Sequence, residues 1–371
     1  MIENPLISIT VCVRDGVQWI DGCLESLKNQ TYRPLEIIAI DDGSIDGSKE
    51  KLQQWHNPEA EVPILVYSQD AIGLSAGRNL AVEKSRGEWI AITDIDVRPT
   101  RNWITNLHEK SQPVDENEVV VAVTGRTIFE RADDLVSLLR SVEIEAKYRS
   151  RPRRTSLANG PCSMFLRKSL NNIGGFDPTW YHAEDMEVSL KLIANGGTIV
   201  YAPEAVVAHV AESGRKRFLG KRSRDARAHV RIMRKYPRRR RIGPELDFIG
   251  SSTMVLMVAP LWLTALLTGL PFLYLFIQSE SRNWDEIETW WQTNILLVTL
   301  GILFIQELIL WRGPLGVVNR TAIFHSGKNR FYVYFALKGL IMQWSLALWK
   351  GLLLGCIDAF TNANGHGTKE S

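Results

Sequence analysis

The sequence is poor in cysteine. Its four, Cys12, Cys23, Cys162 and Cys356, lie far apart without metal-ligand spacing, which excludes a disulfide framework or a zinc site and fits a reducing compartment. A charged-then-apolar leader is also lacking. Residues 1–6 run straight into a strand-like segment, so the amino-terminal part is expected to stay in the cytosol. Charge of one sign is missing as well: 44 Lys+Arg against 41 Asp+Glu leave a formal +3. That balance argues against an acidic disordered chain and against a uniformly basic nucleic-acid binder. The dinucleotide fingerprint Gly-X-Gly-X-X-Gly is absent after the first strand, where Arg14-Asp15-Gly16 stands, which speaks against an oxidoreductase of that type.

What is present suffices for about two domains, with 45% hydrophobic residues to build a core. The mean hydropathy of −0.09 conceals a polar half joined to an apolar one. Residues 6 to about 210 alternate short apolar runs (7–13, 36–40, 64–67, 89–93, 119–124) with Gly/Asp-rich loops and helix-periodic segments. Ile20, Cys23, Leu24 and Leu27 form one such segment; Leu80, Ala81 and Lys84 belong to another. The pattern predicts an α/β fold with a mainly parallel sheet covered by helices on both faces, and ligands beyond the carboxyl ends of the strands. The alternation weakens after Asp134.

Residues 215–241 carry 14 Lys or Arg and a single acid, Asp225. Taken alone this could be a nucleic-acid patch, a solvated helix face or a membrane-surface segment. Its neighbour decides: residues 248–279 hold no charged side chain, well above the roughly 20 needed to cross a bilayer. The basic run is therefore expected on the cytoplasmic side, against anionic lipid, with no nucleic-acid partner. Pro260 and Pro271 are expected to kink or bound the span. A second apolar run, 289–311, is bracketed by Trp290, Trp291 and Trp311. The link at 279–289 sums to −3 and that at 312–330 to +4, which places the first outside and the second inside. A third candidate, 331–356, is interrupted by Lys338 and Lys350 and either spans or lies in the interface. The expected organisation is an α/β domain (1–214), a basic juxtamembrane segment (215–247), a membrane region (248–357, with helices near 250–278, 290–311 and 331–356) and a polar tail (358–371).

Several short motifs carry possible chemistry. Asp41-Asp42-Gly43-Ser44 follows a strand, where a turn preference alone would also explain it. Thr93-Asp94-Ile95-Asp96 ends another: alternate residues face the same way, and two convergent carboxylates suit a hard divalent cation. A helix cap or solvated turn is the simpler alternative. Gly73-Leu74-Ser75-Ala76-Gly77-Arg78-Asn79 allows close backbone approach at a helix start, with Arg78 able to grip a phosphate or carboxylate. His182-Ala183-Glu184-Asp185 opens an apolar-periodic helix, where acids also serve as dipole partners. His209 stands alone.

In this order and spacing the pieces, with Gly174-Gly175-Phe176-Asp177, resemble the family 2 glycosyltransferases of the GT-A fold over residues 6 to about 212. The resemblance implies nucleotide-sugar contacts from Arg14, Asp41, Asp42, Arg78, Asp94 and Gly160. The segment 159–163 would border the donor sugar. It implies a divalent metal, Mn²⁺ or Mg²⁺, held by Asp96 and by His209. Asp185 would be the catalytic base, with Glu184, Trp180 and His182 at the acceptor site. The implied activity is inverting, metal-dependent transfer of a sugar from a nucleotide donor, a UDP-sugar first of all. The acceptor would be membrane-associated and lipid-linked, at the cytoplasmic face of an inner membrane crossed more than once. The Gln-X-X-Arg-Trp signature of processive synthases is missing, so a non-processive enzyme in polysaccharide, glycolipid or cell-envelope synthesis is expected. The other readings are a catalytically silent GT-A scaffold recruiting assembly partners to the membrane and a transporter of lipid-linked sugars. The joint presence of Asp96 and Asp185 opposes the scaffold, and the small number of spans opposes the transporter.

Overall fold

A computed structural model describes residues 4–149, 151–180, 182–244, 252–279 and 286–361. Eight strands form one sheet in the order β3-β2-β1-β4-β7-β6-β8-β5. They are β1 (Ile7–Val13), β2 (Leu35–Asp42), β3 (Ile64–Gln69), β4 (Trp89–Asp94), β5 (Val97–Pro99), β6 (Val120–Phe129), β7 (Ser163–Leu166) and β8 (Thr198–His209). β3, β2, β1 and β4 run parallel, as do β6 and β8, while β7 and β5 pair antiparallel to their neighbours. The continuous apolar runs of β1 and β2 are buried along nearly their whole length, as central strands covered on both faces must be. The intervening helices are α1 (Ile20–Lys28), α2 (Ser48–Trp55), α3 (Leu74–Lys84), α4 (Trp103–Lys110), α5 (Leu135–Arg149), α6 (Arg167–Asn172) and α7 (Glu184–Ala194). Ile20, Cys23, Leu24 and Leu27 of α1 all reach the core under the sheet.

Register positions the chemistry. Val13 of β1 lies opposite Asp41 and Cys12 opposite Asp94, so both acidic turns emerge at one level from the carboxyl ends of three adjacent strands.

Past the sheet, α8 (Arg215–Lys235) is followed by α9 (Ser252–Leu256), α10 (Val258–Ser279), α11 (Glu286–Trp311), α12 (Gly313–His325) and α13 (Arg330–Thr361). Three of the described helical stretches are long and apolar enough to cross a membrane: Thr253–Pro271, Thr293–Trp311 and Arg330–Thr361. Pro260 falls in the first turn of α10, where its missing N–H is harmless, and Pro271 falls inside the helix. Lys338, expected to sit in a groove or snorkel, is paired with Glu307 of α11, which also accepts from Tyr334 Oη and Trp311 Nε1 (2.8 Å each). Part of the 279–289 link lies outside the described residues.

Two sequence expectations need correction. The 312–330 segment is not a bare link: Pro314 starts α12, whose Leu315, Val318 and Ala322 pack in one apolar cluster with Val136 and Leu139 of α5. Nor is the basic segment only a lipid-facing strip. Gly351 and Gly355 of α13 let it approach α8 closely: a Cβ at Gly351 would stand 2.1 Å from the Ser223 carbonyl oxygen. Several α8 cations are spent internally: Arg227 on Asp358 (2.6 Å), Lys235 on Glu187 (2.8 Å) and Arg231 on Thr179. Arg215, Lys216, Arg217 and Arg224 remain exposed.

Candidate active site

The crevice begins with the loop after β1. Asp15 takes a left-handed conformation (φ 52°), and its Oδ1 accepts from the Ile45 N–H at 2.8 Å, tying this loop to the 41–44 turn. Asp41 is buried and accepts from the Ser44 N–H (3.3 Å). Asp42 is more fully occupied by the chain. It accepts from Gln69 Nε2 (2.7 Å) and from the N–H groups of Ile72 and Gly73, while the half-exposed Arg14 lies 3.9 Å away. Asp42 thus anchors the glycine-bearing loop that leads into α3.

From that helix Arg78 projects into the centre of the site, 2% exposed. Its Nη1 donates to Glu184 (2.7 Å) and its Nη2 to Asp94 (3.3 Å). Burial opposes its charge, but the Glu184 and Asp94 carboxylates outweigh burial and hold its proton more tightly than usual. Gly160 explains itself here, since a Cβ would meet Arg78 Nη2 at 2.8 Å. Asn79, next in the helix, clamps the Gly174–Asp177 segment. Its amide donates to the Phe176 carbonyl (2.7 Å) and accepts from the Phe176 N–H (2.9 Å).

Asp94 and Asp96 flank the buried Ile95. The antiparallel pairing of β5 with β8 sets Val97 opposite His209, and this register brings His209 Nε2 to 3.6 Å from Asp96 Oδ1. The ring stacks on Phe129 (4.6 Å between centroids), and Nδ1 is 2.9 Å from the Val210 carbonyl oxygen. That contact fixes the ring, with Nδ1 on the carbonyl side and Nε2 facing Asp96. Burial raises the Asp96 carboxyl above its ordinary range, with His209 partly offsetting it. One carboxylate and one oriented imidazole fit a divalent cation that keeps part of its hydration shell. Clusters of three or more protein ligands do not occur among the described residues.

Asp185 lies at the start of α7, just after Ala183, which adopts a left-handed φ of 61°. Its Oδ2 accepts from the Gly160 N–H (3.2 Å) and its Oδ1 from the Met186 N–H (2.8 Å). Burial, then the neighbouring Glu184 charge, raises its carboxyl to about 6, against the pull of Arg78. A carboxylate poised there suits general-base work near neutral pH.

Asp185, Glu184 and His182 lie on the wall of a cavity of about 1070 Å³. The same cavity is also lined by Leu256 of α9, Val317 of α12, and Leu348 and Leu352 of α13. His182 Nε2 is hydrogen-bonded to Asp225 of α8. Burial disfavours its charged form, but Asp225 wins and raises the imidazole above its ordinary value. Trp180, expected at the acceptor site, is instead packed away with Leu157, Met186 and Ile232, with the Arg231 guanidinium 4.0 Å from its ring centroid. The inward turn of α8 is the cause. Sequence reading also missed Asp225 and Arg222, which pair at 3.2 Å beside His182; they lie within a run read as a lipid-facing strip.

The sequence matches Glycosyl transferase family 2 over residues 8–174 and Glycosyl transferase family group 2 over residues 103–306, the latter more than half of the chain. The chain belongs to glycosyltransferase family 2. Glycosyltransferase GlyG of Streptococcus pneumoniae is 30% identical over 117 residues, 32% of this chain and 38% of that protein. The pre-mycofactocin glycosyltransferase of Mycobacterium tuberculosis is 26% identical over 216 residues, 55% of this chain and 42% of that protein. The match thus spans well under two thirds of either relative's length. Mannosyltransferase PcManGT from Pyrobaculum calidifontis, solved with GDP-Man and Mn2+, superposes with a TM-score of 0.57 at 19% identity, covering 95% of this chain and 88% of that one. This likeness shows the GT-A fold for the mixed sheet and its helices, which apolar C-terminal helices follow in this chain.

Proposed function

We propose that this family 2 member is an inverting, non-processive glycosyltransferase that moves one sugar from a nucleoside diphosphate to an acceptor held in the membrane. The observation that carries the reading is the position of Asp185 on a cavity running to apolar residues of α9, α12 and α13. An acceptor with an apolar body and a polar end fits that run, its hydroxyl within reach of the carboxylate. Asp185 takes the hydroxyl proton as the oxygen bonds to the anomeric carbon. The bond from that carbon to the diphosphate breaks on the opposite side, so the configuration inverts. Arg78, by joining Glu184 to Asp94, keeps the acceptor and donor sides in one geometry. Asp41 and Arg14 face the base and ribose of the donor, with Asp42 supporting that wall. Asp94 meets the sugar side, with Gly160 bordering it.

Asp96 and His209 would hold the divalent cation. When bound, it offsets charge building on the departing diphosphate. The GDP-Man and Mn2+ of the structural neighbour make a nucleotide sugar and Mn²⁺ the first ligands to try, alongside the UDP-sugars. Residues 1–214 form the catalytic unit in this reading, followed by the basic segment and a membrane region of up to three spans, with the catalytic unit on the cytoplasmic side.

The test is transfer by the full chain in lipid nanodiscs containing a membrane lipid extract, using labelled UDP-, GDP-, CDP- and dTDP-sugars. One donor should give a labelled product that partitions into organic solvent and carries the inverted anomeric configuration. Retention of configuration, or label recovered only in water-soluble products, would contradict the reading.

A further inference from the structure

A second cavity, of about 590 Å³, lies across Arg149 and Arg151, which line both it and the larger one. Arg126 of β6, Tyr201 of β8 and Tyr148 of α5 build its walls, with Lys110 at the end of α4 and Arg153 from the loop after α5. Five cations and one acid, Glu145, face it. Two of the cations are neutralised: Arg149 pairs with Glu145 (2.8 Å), and Arg153 forks onto Glu118 (2.6 and 2.7 Å). Arg151 spreads over the Tyr148 and Tyr201 rings, 5.4 and 5.3 Å from their centroids, and donates to neutral oxygens of Thr155 and Leu157. No carboxylate among the described residues pairs with Arg126 or Lys110, and Arg126 Nε is buried without a hydrogen-bond partner.

The rest of the Arg126 guanidinium lines the cavity with no carboxylate to neutralise it, and an oxyanion placed there gains charge-assisted hydrogen bonds. The volume exceeds what a bare phosphate needs and lies within the roughly 300–1,000 Å³ usual for small-molecule sites. We propose that this cavity is a second ligand site, separate from the reacting groups, which takes a phosphate carried on a sugar. The phosphate meets Arg126 and Lys110, and the sugar ring lies against Tyr201 and Pro203. Such a phosphate can come from a free sugar phosphate or from a phosphorylated residue of the acceptor glycan.

The test uses the full chain in nanodiscs with EDTA, so that metal-dependent donor binding does not compete. Titration calorimetry with glucose 1-phosphate, inorganic phosphate and glucose reads the site. Glucose 1-phosphate should bind, inorganic phosphate at least tenfold more weakly, and glucose not at all. Arg126→Gln should weaken glucose 1-phosphate at least tenfold, and Lys110→Gln, on the exposed rim, two- to threefold. Both variants should keep metal-dependent nucleotide binding. A raised acceptor KM in Arg126→Gln identifies the glycan as the source; an unchanged KM identifies the free sugar phosphate. Absence of binding to folded wild type, equal affinity for phosphate and glucose 1-phosphate, or unchanged affinity in both variants would overturn the proposal.

Discussion

Asp185 owes its acidity to its neighbours: burial and Glu184 push its carboxyl up to about 6, while Arg78 pulls it down. Because a base works only when deprotonated, transfer should fall about tenfold per pH unit below 6 and level off above it. A pH–rate profile checks this; an acid limb near 4 would mean that Asp185 is not the rate-determining base. Asp185→Asn should cost about 10²–10⁴-fold in turnover with nucleotide binding unchanged, read by parallel transfer and binding assays. Arg78 carries a different load. Removing it by Arg78→Met leaves Glu184 buried opposite no cation, for an expected loss of about 3–5 kcal/mol in unfolding free energy. A denaturant titration showing less than about 1 kcal/mol would show that the bridge is not a stability element.

At the scale of elements, the pairing of α8 with α13 joins the catalytic half to the apolar helices. Gly351→Ala places a methyl carbon 2.1 Å from the Ser223 carbonyl oxygen, so the two helices must separate. Limited proteolysis should then cut within α8 faster than in the wild type; equal resistance would show that the contact is dispensable. This contact was illegible in the sequence, where the glycines merge into an apolar run and the basic residues read as lipid-facing. The strands and the acidic turns were legible because their signals are local: an apolar run, then Asp and Gly. The approach of His209 to Asp96 is not local. It depends on how the three-residue β5 registers against β8, which no periodicity encodes, and His209 came only through resemblance. The packing of Trp180 was illegible for the same reason, since its partner Arg231 arrives from α8. The motif order itself has a physical basis visible only in three dimensions: Asn79 locks Phe176, and Arg78 bridges Asp94 to Glu184.

For the whole molecule, the −3 and +4 links predict that residues 280–288 face the outside and the catalytic unit the cytoplasm. In a background lacking the four native cysteines, Ser281→Cys should react with a membrane-impermeant maleimide in intact cells, whereas Ser213→Cys should react only after lysis. The reverse pattern would invert the topology. The proposed chemistry needs donor, metal and base in one crevice, and the most direct measurement is nucleotide binding. Purified full chain should bind one of UDP, GDP, CDP and dTDP tightly with Mn²⁺, lose that binding with chelator, and lose it equally in Asp96→Ala. Binding that survives both chelator and Asp96→Ala, or no binding of any of the four by folded protein, would contradict a metal-dependent donor site at Asp96 and His209.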